Sequence, residues 1–286
     1  MPELPEVQAL TAALSARMTG LHIDGYQMVS FSALKTVTPS LDDLVGPAVE
    51  GVERRGKFLC LAVGGLWLVI HLARGGWIRW YDTVPATRLR PGRSPIALRI
   101  HLDDGSGFDV TEGGTEKRVS LWVVPSPGDV PAVARLGVDP LGPEFTVEGL
   151  AELLGSASST LKTALTTQSL IAGVGNAYSD EALHRARLSP FARTRGLGAG
   201  QVAALHAAVT AVLTEAVERT SGLDPGRLKG DKKEAMAVHG RTGLACPVCG
   251  DTVRQVSYAT SSLQYCPTCQ TGGRTLADRR LSRLLK

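Results

Sequence analysis

The sequence predicts an α+β chain of several domains: an antiparallel β-rich N-terminal part that opens with a helix, a helical middle, and a small C-terminal β-hairpin built on cysteines. Three observations carry this. Between Phe58 and Val124 short apolar runs recur, punctuated by Gly, Asp and Pro, as in strands joined by tight turns. From Thr146 the apolar spacing lengthens to that of helices. Four of the five cysteines fall as two Cys-x-x-Cys pairs near the C-terminus. The expected domains are 1–130, 131–225 and 226–286.

The elements follow in order. Pro5 suits the first turn of a helix, and Val7, Leu10, Leu14 and Met18 keep helical spacing until Gly20 ends it. Phe58–Val63, Leu66–Leu72, Trp77–Tyr81, Ile96–Leu102, Phe108–Thr111 and Val119–Val124 read as strands of a sandwich or a barrel. Cys60 sits inside one of these runs and reads as a small buried hydrophobe. The Pro/Gly-rich stretch 125–143 reads as a linker. Val147–Leu154, Ser159–Leu165, Tyr178–Ala186 and Ala199–Arg219 are the expected helices. Between the second and third lies Leu170-Ile171-Ala172-Gly173-Val174-Gly175-Asn176. Amides at such a glycine hairpin bind phosphate well, although an ordinary packing corner between helices has the same signature.

Composition narrows the function. The 286 residues carry 31 Lys+Arg against 27 Asp+Glu, a net +4, and are 43% hydrophobic. Disorder, collagen and coiled coil are thereby excluded as descriptions of the whole chain. The longest apolar stretch, Phe58 to Leu72, is broken by Gly64-Gly65 and falls short of the roughly 20 residues of a membrane helix. The start, Met-Pro-Glu, is acidic where an export signal is basic. A cytoplasmic, monomeric chain without a membrane partner is expected. The charge is uneven: Pro225 to Lys286 holds 11 Lys+Arg and 4 Asp+Glu, a net +7, and the first 224 residues carry −3. A basic tail suits a polyanion or simply solvent.

The cysteines read as Cys246-Pro-Val-Cys249 and Cys266-Pro-Thr-Cys269, with 16 residues between the pairs. Each pair places two thiolates on one tight turn, and two such turns close a tetrahedral four-sulfur site for one structural Zn2+. Disulfides do not suit a cytoplasmic chain, and no βαβ pattern supports a redox dithiol. Thr252 to Tyr265, between the pairs, reads as a short hairpin.

Met1-Pro2-Glu3-Leu4-Pro5-Glu6-Val7, Arg55-Gly56-Lys57-Phe58-Leu59, the glycine hairpin ending at Asn176 and the four-cysteine finger together resemble the formamidopyrimidine-DNA glycosylase/endonuclease VIII family. The resemblance implies an N-terminal β-sandwich, a helix–two-turn–helix domain and a zinc finger that grips DNA. It implies base excision followed by strand cleavage at the abasic site, with damaged or abasic DNA as the partner. Pro2, exposed by removal of Met1, would be the amine nucleophile. An α-amino group titrates at about 8, far below lysine, so part of it is unprotonated near neutrality. Glu3 would be the acid at the deoxyribose O4′, and Glu6 would orient the amine and cap the first helix. Lys57 would hold the phosphate beside the lesion, with Lys162, Gly175 and Asn176 as further DNA ligands. For Arg54 and Arg55 the expectation is a solvated strand end.

Three departures from the family pattern bear on substrate. Where the family inserts a Met after His-Leu, this chain has His71-Leu72-Ala73-Arg74, and the aromatic-bearing loop is replaced by Asp109-Val110-Thr111-Glu112-Gly113-Gly114-Thr115-Glu116-Lys117-Arg118. Without a wedge, flipping a paired base is harder, which favours unpaired DNA unless Arg74 fills the void. The finger arginine is Ser261 here, a loss for which Arg254 is the candidate compensation. The span from Asp224 to Arg241 is too short for the loop that covers 8-oxoguanine in the formamidopyrimidine branch. The expected enzyme is a bifunctional glycosylase/lyase acting on oxidised pyrimidines, abasic sites or unpaired DNA. A lesion sensor that excises nothing, or a lyase alone, is the alternative.

Overall fold

The computed structural model describes residues 1–90, 94–114, 116–258 and 261–277. Arg279, Arg280, Arg283 and Lys286 of the basic tail, Thr115 of the substituted loop, and Ala259 and Thr260 beside Ser261 lie outside the described residues. The chain forms two compact units, one of Met1–Leu136 with Thr220–Leu228, the other of Gly137–Arg219 with the chain from Lys229 onward.

The first unit opens with α1 (Leu4–Met18), followed by β1 (Ile23–Met28), β2 (Val49–Arg55), β3 (Phe58–Val63), β4 (Leu66–His71), β5 (Gly76–Tyr81), β6 (Ile96–Leu102), β7 (Gly107–Glu112), β8 (Ser120–Val124) and the short α2 (Pro131–Ala134). The strands make two separate antiparallel sheets, β1-β6-β7-β5 and β2-β3-β4-β8. The fold is therefore a sandwich rather than a barrel. Alternate residues explain its core. Leu59, Leu61 and Val63 of β3 join Ile78, Leu98, Ile100, Phe108 and Val110 of the other sheet in one cluster with Val7, Leu10, Leu14 and Met18 of α1. Phe58 and Cys60 point to the opposite face and pack with Val69, Val124, Val130 and Val133. Burial on both faces is why β3 reads as an unbroken apolar run. Cys60 is fully buried, and burial pushes its thiol up to about 12, the inert state of a packing residue.

Sequence periodicity does not reveal β1 and β2. Both are edge strands with a register shift at a glycine, Ile23/Gly25 and Val49/Gly51. Their half-exposed faces are polar, as edges that resist further pairing tend to be. The linker stretch also holds α2 and a helical turn at Pro127–Asp129.

The second unit contains α3 (Val147–Ser156), α4 (Leu161–Thr166), α5 (Asn176–Arg185), α6 (Ala199–Thr220, its last residue in the first unit), α7 (Leu228–Ala235, entering from the first unit), the hairpin β9 (Arg254–Ser257) and β10 (Ser262–Tyr265), and α8 (Pro267–Thr271). Threonine hydroxyls cap α3 and α4: Thr146 accepts from Gly149 N–H at 3.0 Å and Thr160 from Thr163 N–H at 3.3 Å, each worth about 1 kcal/mol. By length and composition α6 could cross a membrane. However, Val202, Leu205, Val209, Leu213 and Ala216 are buried at helical spacing, the pattern of one packed face.

Candidate functional site

The residues expected to do chemistry cluster where α1 begins. Glu3 is the N-cap of α1 and forms a capping box with Glu6, whose Oε2 accepts the Glu3 N–H at 2.8 Å. A helix can start here because Pro5 needs no intrahelical partner and the two carboxylates meet the positive end of the helix dipole. Pro2, Glu3 and Glu6 are all buried. The helix itself is fixed by Leu10, Leu14 and Met18, each at most 1% exposed. Truncating one such residue to Ala costs about 2–5 kcal/mol, so the chain start is anchored one to four turns away.

Lys57 does not begin a strand. It is the second residue of the two-residue turn joining β2 to β3, where Arg55 pairs with Phe58 and Gly56 takes φ 54°. A glycine with positive φ in the first turn position matches the twist of the flanking strands. Arg54 differs from the solvated end that was expected. Its Nε donates to Gln8 Oε1 at 2.8 Å and its Nη1 to Gly56 O at 3.1 Å, tying the Lys57 turn to α1. Arg55 is exposed and pairs with Glu53 at 2.8 Å. His71, opposite Phe58 in β4, lies against its ring at a tilt of 32°, with centroids 4.6 Å apart. Burial, with the Lys57 ammonium nearby, pushes His71 down to about 4, so it is neutral near neutrality.

The two turns that depart from the family pattern meet in the same unit. Ala73 adopts φ 49°, a left-handed conformation uncommon outside glycine, and Arg74 beside it is exposed. Gly113 N–H donates to Gly75 O at 3.1 Å, and a Cβ on Gly75 would lie 2.4 Å from Gly113 O. No side chain fits between these backbones. The loop after β7 folds back on Glu112, whose carboxylate accepts from Arg118 and Val119 N–H at 2.5 and 2.9 Å. Asp109 is a fully buried residue of β7, in agreement with the strand read over Phe108–Thr111. It is held by Arg99 at 2.7 and 2.9 Å and by the Tyr81 hydroxyl at 2.9 Å.

In the second unit Gln168 braces the glycine hairpin, donating to Val174 O at 2.7 Å and accepting from Gly173 N–H at 2.9 Å. Gly175 is the N-cap of α5. The Lys162 ammonium is 11% exposed and donates to Asn176 O at 2.6 Å, Ser179 Oγ at 2.8 Å and Asp180 Oδ1 at 2.5 Å. Three N–H bonds meet three acceptors, so Lys162 organises the start of α5 from within. Asn176 Nδ2 donates to Ser262 O of β10 at 2.6 Å. Lys162, Asn176, Ser261 and Arg193 line one cavity of about 650 Å³. Arg254, exposed at the start of β9, is not among its lining residues. Arg193 belongs to none of the motifs read from the sequence. It is placed by its bridge to Thr160, the cap of α4.

The cysteines gather, although the group whose ligand atoms all lie within 4.8 Å of one another is His184, Cys246, Cys266 and Cys269, with Cys249 outside it. Cys249 Sγ lies 3.3 Å from Cys266 Sγ, and Cys246 Sγ 3.9 Å from Cys269 Sγ. Both separations exceed a disulfide bond of about 2.05 Å. The 3.9 Å separation matches the edge of about 3.8 Å that four sulfurs make around zinc at a bond length of about 2.3 Å, and the 3.3 Å one is shorter. The donor set therefore fits a tetrahedral metal ion. His184 of α5 joins it. No Cys/His spacing in the sequence points to His184.

Comparison with known proteins agrees along nearly the whole chain. Residues 1–112 match the formamidopyrimidine-DNA glycosylase N-terminal domain, and residues 136–224 the formamidopyrimidine-DNA glycosylase H2TH domain. A formamidopyrimidine-DNA glycosylase of Symbiobacterium thermophilum is 35% identical over 98% of this chain and 93% of its own length. An uncharacterized formamidopyrimidine-DNA glycosylase-like protein of Mycobacterium tuberculosis is 54% identical over 54% of this chain and 98% of its own. Among solved structures, the Lactococcus lactis formamidopyrimidine-DNA glycosylase bound non-covalently to DNA with an abasic site superposes with a TM-score of 0.81. It is 26% identical and covers 94% of this chain and 99% of that one.

Proposed function

Because the chain belongs to the formamidopyrimidine-DNA glycosylase family of DNA-repair enzymes, we propose that it is a bifunctional glycosylase and abasic-site lyase acting through the Pro2 amine. The observation that carries this reading is the buried Pro2/Glu3 start of α1, tied through Gln8 and Arg54 to the Lys57 turn. With Met1 removed, the Pro2 nitrogen attacks C1′, and the damaged base leaves with the glycosidic electron pair and the proton shed by that nitrogen. Glu3 protonates O4′ as the ring opens, leaving an iminium at C1′. The cation draws electrons from C2′–H, and the 3′-phosphate departs by β-elimination. A second proton loss at C4′ expels the 5′-phosphate. Acid–base assistance at Glu3 is worth roughly 10²–10⁴-fold. Lys57 holds the phosphate beside the lesion.

In the second unit, Asn176 contacts phosphate at the start of α5 and Arg193 supplies the cation that Ser261 lacks. Cys246, Cys249, Cys266 and Cys269 hold one structural Zn2+, which staples a segment too small to fold alone. Ala73 and the described residues of the loop after Glu112 carry no aromatic wedge for a duplex, which leaves the exposed Arg74 as the one candidate to fill the void. The missing wedge favours abasic sites or unpaired DNA, and the short span from Asp224 to Arg241 favours oxidised pyrimidines over 8-oxoguanine, the protein acting as a monomer.

The test is borohydride trapping on an abasic oligonucleotide, with Met1 removal verified by mass. A covalent protein–DNA adduct is expected, together with faster cutting of single-stranded than duplex DNA. Pro2→Gly should slow trapping sharply. A correctly processed chain that gives no adduct overturns the reading. The missing wedge favours one second reading, a lesion sensor, which would bind abasic DNA tightly without cutting it. Cutting of preformed abasic sites with every damaged base left intact would indicate a lyase alone.

A further inference from the structure

Helix α5 presents a polar stripe at positions 176, 180 and 184, one residue per turn, with Glu181 alongside. Every member reaches the C-terminal segment. Asn176 donates to Ser262 O. Asp180 Oδ2 accepts from Gln264 N–H at 3.1 Å and lies 2.8 Å from His239 Nδ1. Glu181 accepts from Ala237, Val238 and His239 N–H at 2.8–3.0 Å. His184 Nε2 lies 3.3 Å from Cys246 Sγ.

We propose that His184 is a positioning residue of the metal centre, donating Nε2–H to the Cys246 thiolate, so that α5 and the zinc site stand or fall together. The inference rests on the reading of the four cysteines as a zinc site. Two Cys-x-x-Cys turns already complete a tetrahedron, so a fifth donor touching one sulfur acts on that sulfur rather than on the metal. His184 is 5% exposed and Cys246 2%, which keeps water from competing for the bond. His184 and Cys269 also line a cavity of about 380 Å³, a route by which a chelator reaches the thiolates. An N–H···S bond disperses thiolate charge and holds the sulfur in place, and outer partners of this kind are worth about 10–100-fold in metal affinity.

The experiment uses the full chain. Its Co2+-substituted form is read by visible absorption, and Zn2+ release to a chromophoric chelator is timed, so neither readout depends on DNA cleavage. Wild type and His184→Phe should both show the cobalt spectrum of four thiolates, while Cys249→Ser should lose it. Zinc release from His184→Phe should be about tenfold faster. His184→Gln, which keeps an amide donor, should fall between the two. Equal release from wild type and both variants overturns the proposal. So does a wild-type cobalt spectrum of three thiolates and one imidazole that survives Cys249→Ser, which would make His184 the fourth ligand. A chain that binds neither ion overturns the zinc reading along with it. Absence of a borohydride adduct, by contrast, would refute only the lyase.

Discussion

Two lysines were expected at DNA phosphates; both are buried, at 9% and 8% exposure, but the two units hold them in different settings. Lys57 rides on a two-residue turn braced by Arg54 and α1. Lys162 is consumed inside its unit, its ammonium divided among Asn176 O, Ser179 and Asp180. A cation that neutralises a fully buried carboxylate serves the fold, and any effect on DNA passes through the group it positions, here the start of α5. Matching lysines in a motif thus say little about which atoms meet the substrate.

The sharpest way to break this contrast is to remove each ammonium. Lys162→Met leaves Asp180 buried with its charge uncompensated, and losing one partner of such a pair costs about 3–5 kcal/mol. Urea unfolding should show that loss. Lys57 is 9% exposed, so Lys57→Met should lower the unfolding midpoint by less than Lys162→Met does while cutting abasic-site cleavage severely. A Lys162→Met protein of normal stability and weak DNA binding would mean that Lys162 touches phosphate directly.

A smaller effect should come from restoring the absent finger cation. Ser261→Arg adds a positive group to the cavity lined by Asn176 and Arg193. The slope of log Kobs against log salt should steepen by about one phosphate contact. An unchanged slope would place DNA elsewhere on this unit.

The smallest is a pH effect in the first unit. His71 is held down to about 4 by burial and Lys57, against about 6.5 in an unfolded chain. Below pH 6.5 the unfolded chain takes the proton first. The stabilising contribution is therefore whole above 6.5 and lost as pH falls toward 4. Thermal melts of wild type should decline across that window more steeply than those of His71→Gln. Parallel curves would assign the acid sensitivity to other groups.

These contrasts show how far the sequence reaches. Strands buried on both faces, such as β3, are legible because every residue is apolar. The edge strands β1 and β2 are not, since their exposed faces and glycine bulges erase the period. The four cysteines announce themselves by spacing, which follows from the metal's geometry. His184 gives no such signal, because its partner lies far along the chain at Cys246 and only the packing of α5 joins them. The same holds for Lys162 and Asp180: each reads as a surface charge on its own helix, and burial becomes visible only when the helices meet. Arg193 gives no signal either, because a bridge to Thr160, rather than a motif, places it.

The stripe on α5 also bears on how such proteins can be recombined. Asn176, Asp180, Glu181 and His184 together hold the C-terminal segment at residues 237–239, Cys246, Ser262 and Gln264. A finger transplanted from a relative would arrive with four mismatched sockets unless that helix travelled with it. The natural cut for a chimera therefore lies upstream of the glycine hairpin, far from the boundary that the cysteines suggest.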